Sequence, residues 1–217
     1  MAHQYLQGVT MEISELLGRT RIVPVVAIED ARLAVPLAET LISSGINIIE
    51  ITLRTPEALD AIENVSRAIP EMKVGAGSIR LVEQFAQVRD AGARFAVSPG
   101  ATDKLINQAA RLSIPFIPGA ITPSEILALF ERGFTLQKFF PAESAGGIDL
   151  LRAMASPVPE VRFMATGGIS AELAIDYLAE PNVAAIGGSW IAPASLIKAR
   201  DFDQIARLAS EAAQYNL

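Results

Sequence analysis

The chain has 217 residues, a formal net charge of −6 and 51% apolar residues, enough to bury a large core in one domain spanning 1–217 and to exclude a disordered chain. Its 24 acidic residues outnumber 18 basic ones and no Lys/Arg cluster occurs, which argues against nucleic acid or a polybasic membrane contact. With no cysteine, and with His3 as the only histidine, disulfides, thiolate chemistry, histidine bases and histidine metal clusters fall away, leaving Lys, Glu, Asp, Arg, Tyr and hydroxyls.

Residues 1–18 form a short amphipathic opening, read as an N-terminal helix, without the basic start and apolar stretch of a signal peptide. No run of 18 apolar residues follows, so a soluble, cytoplasmic protein is expected. Ile22–Ile28 reads as a buried strand, and Ala31–Ser44 has helical spacing that stops at Gly45. The second strand is Asn47–Leu53. Thr55-Pro56 then reads as an N-cap with proline at the first helical position, for a helix to about Ala68. Strand Lys73–Ile79 precedes helix Leu81–Asp90, and strand Phe95–Ser98 precedes helix Asp103–Leu112. The fifth strand is Pro115–Ile117, and Thr122-Pro123-Ser124-Glu125 offers a capping box for a helix ending at Gly133. Strands Leu136–Phe140, Val161–Thr166 and Val183–Ile186 complete the series, each followed by helical pattern.

Eight strands alternating with helices, without a linker or low-complexity break, predict an α/β fold of the (β/α)8 TIM-barrel type, with a doubly wound open sheet as the alternative. The placement of glycine and proline favours the barrel. The clusters GAGS, SPG, IPG, FPAE, TGG and GGS all fall at the C-terminal ends of strands, the face on which barrels build their sites.

Among the four lysines, Lys138 alone sits inside an apolar strand, where Leu136, Lys138 and Phe140 share one face. An amine held out of water favours its neutral form, which attacks carbonyl carbon. A lysine snorkelling at a strand end, or paired with a buried carboxylate, is the other reading of the same pattern. On the second strand Ile49, Ile51 and Leu53 make an apolar face for the helices, so Glu50 and Thr52 point into the barrel. Arg54 then stands about 13 Å along the strand from Glu50, at the rim. A buried glutamate beside a lysine suits proton transfer and a rim arginine suits a carboxylate, although a purely structural ion pair has the same pattern. Finally, Gly167-Gly168 and Gly187-Gly188-Ser189 follow the last two strands, where barrels place a phosphate on backbone N–H groups.

These segments together resemble the 2-keto-3-deoxy-6-phosphogluconate aldolases, a family that includes 4-hydroxy-2-oxoglutarate aldolase activity. The resemblance is carried by IEITLRT (49–55), VGAGS (74–78), SPG (98–100), IPG (117–119), KFFPAE (138–143), TGGIS (166–170) and GGSW (187–190), in order along almost the whole chain. It implies a homotrimer and a class I aldolase that works without metal or other cofactor on a small keto acid phosphate, releasing pyruvate and glyceraldehyde 3-phosphate. Carried across, the Schiff-base lysine falls on Lys138 and the acid/base glutamate on Glu50. Pyruvate-carboxylate contacts fall on Arg54 and Ser78, site-lining positions on Pro99 and Phe140, and phosphate contacts on Gly167, Gly168, Gly188 and Ser189. Thr166 matches a position tied to stereochemical preference. The chain departs from the family in having Ser78 where threonine is more usual and Ala165 where proline often stands.

Two other functions fit parts of this pattern: a phosphosugar isomerase, epimerase or synthase on the same phosphate cradle, and a non-catalytic phosphate-binding barrel. Lys138 separates them from the aldolase, because only an imine-forming enzyme is fixed irreversibly by pyruvate and borohydride.

Overall fold

Ile22–Val26 (β1) and Ile48–Thr52 (β2) are buried at every position, as expected of strands covered on both faces, and their β-branched residues favour the extended backbone. Seven more segments follow in the computed structural model, which describes residues 17–18 and 20–215. They are Lys73–Gly77 (β3), Phe95–Val97 (β4), Phe116–Ile117 (β5), Gly119–Ala120 (β6), Leu136–Phe139 (β7), Arg162–Thr166 (β8) and Val183–Gly188 (β9). The expected N-terminal helix and His3 lie outside the described residues.

All pairings are parallel, in the order β5-β4-β3-β2-β1-β9-β8-β7-β6. The two ends of that order are consecutive in the chain, separated only by Pro118. Nine segments therefore trace the eight-stranded barrel, and the open-sheet alternative is excluded. Strand five runs on past Ile117, where the sequence reading ended it, and is split in two because proline has no N–H and interrupts the ladder. Before Pro118 the chain pairs with β4; after it Gly119 and Ala120 pair with β7, and Lys138 N–H donates to the Pro118 carbonyl at 2.8 Å.

Helices follow as Ala34–Ser43 (α1), Ala58–Ala68 (α2), Gln84–Asp90 (α3), Asp103–Arg111 (α4), Pro123–Glu131 (α5), Gly147–Ala155 (α6), Ala171–Ala179 (α7), Ala194–Ala199 (α8) and Phe202–Ala213 (α9). Their inner faces show helical spacing, as in Ala58, Ala61, Ile62 and Val65 of α2. The capping box of α5 forms as read, with Thr122 and Glu125 each satisfying the other's backbone N–H.

Three helix starts differ from the sequence reading. Residues Ala31–Leu33 make a 3-10 turn before α1, opened by the Asp30 carboxylate accepting from Arg32 N–H. Thr55 does not cap α2, whose N-cap is Glu57. Its hydroxyl instead donates to the Ile28 carbonyl at 2.6 Å, tying the end of β2 to the loop after β1. The third helix begins at Gln84 rather than Leu81, because the Gln84 amide oxygen accepts from the N–H groups of Arg80 and Leu81 and holds them in a turn.

Candidate active site

The strand ends converge on a cleft of about 190 Å³, room for a small metabolite. At its floor the Lys138 amine donates to Glu50 Oε1 at 3.1 Å across the barrel, with 5% and 0% of the two residues exposed. Period-two alternation puts both there: Lys138 is an inward residue of β7 and Glu50 one of β2. Their outward neighbours pack elsewhere, Gln137 donating to the carbonyls of Ile126 and Phe134. The Phe140 ring also turns into the cleft, with its centroid 5.5 Å from the Lys138 amine.

Glu50 occupies this position because β3 has no side chain opposite its carboxylate. A Cβ built on Gly77 would fall 2.1 Å from Glu50 Oε1, so the third residue of GAGS must be glycine for the carboxylate to fit. Glu50 Oε2 is buried without a hydrogen-bond partner, which leaves a carboxylate oxygen open to whatever fills the cleft. The arrangement is a primary amine and a carboxylate in contact, both buried, with one acceptor unused.

Toward the rim stand Arg54 and Ser78. Thr52 orients the arginine: its hydroxyl donates to the Val26 carbonyl at 2.8 Å and accepts from Arg54 Nε at 3.0 Å. No carboxylate among the described residues pairs with Arg54, which lines the cleft with its guanidinium uncommitted to an acidic partner. Ser78 follows β3 in left-handed backbone, with φ of 61°, a conformation in which a β-branched threonine would be more strained. Lys138 and Arg54 against Glu50 give the cleft an excess of positive charge, suited to an acid.

The opposite wall is mostly backbone. Gly167 and Gly168, with φ of 109° and 81°, and Ser189 line it, and α7 begins just beyond with Ser170 as its N-cap. Thr166 lines the same wall, and its buried hydroxyl has no partner. Pro99 closes the side formed by the loop after β4. Gly188 is the one site candidate outside this lining. A Cβ on it would meet the Trp190 ring at 2.3 Å, whereas Gly187 faces the cleft in register with Thr166. A glycine pair does not reveal which member points inward; the register does. Val25, Ile169, Gly187 and Thr52 complete the lining, and of these the sequence singled out only Thr52 as inward.

The sequence model described as "Aldolase: KDPG and KHG aldolase" matches residues 13–208. The KHG/KDPG aldolase of Escherichia coli K12 is 45% identical over 193 residues, covering 89% of this chain and 91% of that protein. A crystal structure of KDPG aldolase from Legionella pneumophila, with pyruvate captured at low pH as a covalent carbinolamine intermediate, superposes with a TM-score of 0.87 at 41% identity, covering 90% of this chain and 95% of that one. The 2-keto-3-deoxy-6-phosphogluconate aldolase of Zymomonas mobilis ZM4, crystallised with 3-phosphoglycerate, gives a TM-score of 0.89 at 37% identity, with coverage of 95% and 97%.

Proposed function

This chain belongs to the KDPG and KHG aldolase family, and we propose that it is a class I aldolase cleaving 2-keto-3-deoxy-6-phosphogluconate to pyruvate and glyceraldehyde 3-phosphate. Cleavage of 4-hydroxy-2-oxoglutarate to pyruvate and glyoxylate is the slower second reaction. The observation that carries this reading is the buried contact of the Lys138 amine with Glu50 at 3.1 Å, on the floor of a cleft with cationic and glycine-built walls.

In the reaction, Lys138 Nζ adds to the C2 keto carbon of substrate, and Glu50 moves a proton from the amine toward the departing C2 hydroxyl, giving the imine and water. Arg54 and Ser78 hold the C1 carboxylate. Glu50 next takes the C4 hydroxyl proton, through a water where the reach demands it. The C3–C4 bond breaks, its electrons passing into the imine to give an enamine, and C4 leaves as the aldehyde of glyceraldehyde 3-phosphate. A proton returned to C3 regenerates the imine, and water releases pyruvate. Gly167, Gly168, the turn around Gly188 and Ser189 receive the phosphate on backbone N–H groups and a hydroxyl, while Pro99, Phe140 and Thr166 shape the space around C4.

Backbone donors select charge at a fixed distance, so the phosphorylated six-carbon acid reaches both walls and the shorter acid only one. Remote binding of this kind acts on the rate as well as on affinity. We take residues 1–217 as one catalytic domain, and the family resemblance supports a homotrimer. The KDPG naming of the relatives supports a place in carbohydrate metabolism at the Entner–Doudoroff cleavage step. A sugar-acid phosphate carries too much charge to cross a membrane unaided, which supports cytoplasmic action.

Incubation with pyruvate and borohydride, followed by peptide mapping, tests the reading. One adduct on Lys138 is expected; an adduct on Lys73, Lys104 or Lys198, or none, overturns it.

A further inference from the structure

Behind the glycine wall, two side chains outside the proposed chemistry meet in a way that couples the lysine strand to the phosphate end. Tyr177, on the inner face of α7, is fully buried, and its hydroxyl donates to Glu143 Oε1. Glu143 lies five residues beyond Lys138 in the chain. Its N–H donates to the Gly167 carbonyl at 3.0 Å, and the preceding Ala142 N–H donates to the Thr166 carbonyl at 2.9 Å. The exit of β7 and the loop after β8 are thus joined by two backbone bonds.

The glutamate side chain runs between two glycines in left-handed backbone. A Cβ on Gly168 would fall 2.8 Å from Glu143 Cβ, and one on Gly147 would fall 3.1 Å from Glu143 Oε1 and 3.4 Å from the Tyr177 hydroxyl. The aliphatic stem therefore faces the glycine wall, and the carboxylate is turned toward Gly147 and Tyr177. Burial, together with the hydrogen bond to Glu143, holds the phenol well above its ordinary range, so it stays a neutral donor at any pH the enzyme meets.

We propose that the Tyr177–Glu143 pair is a positioning device that holds Gly167 and Gly168 in register with Lys138, setting the preference for phosphorylated keto acids. This rests on the aldolase reading above. It predicts a change in the ratio between substrates, whereas a role confined to anchoring α7 would affect both alike.

The experiment compares the parent with Tyr177→Phe, which keeps the ring and removes the donor, with Glu143→Ala, which removes the acceptor from an exposed position, and with Glu143→Gln, whose amide oxygen still accepts. The specificity constants for 2-keto-3-deoxy-6-phosphogluconate and 4-hydroxy-2-oxoglutarate are measured alongside the rate of borohydride trapping with pyruvate and the melting temperature. In Tyr177→Phe and Glu143→Ala the ratio should fall about tenfold, the scale of one charge-assisted hydrogen bond, through KM of the phosphorylated substrate. Pyruvate trapping should keep its parental rate, and Glu143→Gln should restore most of the ratio. An unchanged ratio in Glu143→Ala, or equal losses on both substrates in Tyr177→Phe, overturns the proposal. Failure of the parent to trap pyruvate would overturn the aldolase reading instead, so the two failures are distinct.

Discussion

Glu50 and Lys138 reach the floor of the cleft as side chains from within β2 and β7, whereas Gly167, Gly168 and Ser189 meet its upper wall from the loops beyond β8 and β9. At the floor, each group is held by a parallel ladder on both sides and screened from water. At the wall, recognition is left to main-chain N–H groups whose position depends on the loops behind them. The difference matches the two tasks: bond making needs fixed reacting atoms, while binding a phosphate needs many donors of no particular identity. It also implies that the two ends fail differently, the floor through the rate of chemistry and the wall through the choice of substrate.

The strongest test removes the nucleophile while keeping its charge. Lys138→Arg leaves a cation for the buried Glu50 and should abolish borohydride trapping, with turnover lowered roughly 10⁵-fold, the scale on which loss of a catalytic nucleophile acts. Calorimetric binding of inorganic phosphate should persist, since the wall is untouched; its loss would show that the ends are not separable. Glu50→Gln keeps the shape and removes the base, so turnover should fall by about 10² to 10⁴. Measured turnover equal to the parent's would remove Glu50 from the chemistry.

The floor was readable from sequence because period-two alternation is a strong rule: Ile49, Ile51 and Leu53 had to face the helices, which sent Glu50 inward, and one lysine stood within an apolar strand. The wall was readable only as glycine pairs. Which of Gly187 and Gly188 faces the cleft depends on the β8–β9 register, which the pattern of two glycines does not carry. The break at Pro118 was missed because Gly119–Ala120 has no β-branched or alternating signature, and it is defined as strand only by its partner β7. Thr55 shows the same limit at a helix start, since a hydroxyl before proline serves a cap or a distant carbonyl equally well, and here the Ile28 carbonyl takes it. The Tyr177–Glu143 contact joins residues 34 apart and left no local signal.

Between floor and wall in expected effect stands the carboxylate clamp. Arg54→Lys exchanges a planar fork for a single ammonium, and the pyruvate KM in the condensation direction should rise about 30-fold with the aldehyde KM unchanged. If the aldehyde suffers instead, the two ends have been assigned the wrong way round. Gly168→Ala places a methyl against Glu143 Cβ in left-handed backbone. The specificity constant for the phosphorylated substrate should drop about tenfold, a cost of one to two kcal/mol from strain and displacement, while that for 4-hydroxy-2-oxoglutarate holds. Equal loss on both would place the phosphate elsewhere.

The smallest effect tests where floor becomes rim. Thr52 is 2% exposed, and its single hydroxyl proton goes to the Val26 carbonyl, so its oxygen is free to accept from Arg54 Nε. The direction of both bonds is thereby fixed, and the guanidinium is aimed by a residue that need not touch substrate. Thr52→Val keeps the volume and the β-branch but removes both bonds. The fork then samples orientations that do not match a carboxylate, and the pyruvate KM should rise about fivefold, as the loss of one hydrogen bond near 1 kcal/mol implies. Trapping at saturating pyruvate and the aldehyde KM should stay at parental values, because Lys138, Glu50 and the glycine wall are unchanged. Thr52→Ser, which retains the hydroxyl, should recover the parental KM. A serine variant as impaired as the valine one would mean that the methyl packing of Thr52 matters rather than its hydrogen bonds. A rise in both KM values would mean that the damage spreads across the barrel and that rim and wall are not independent.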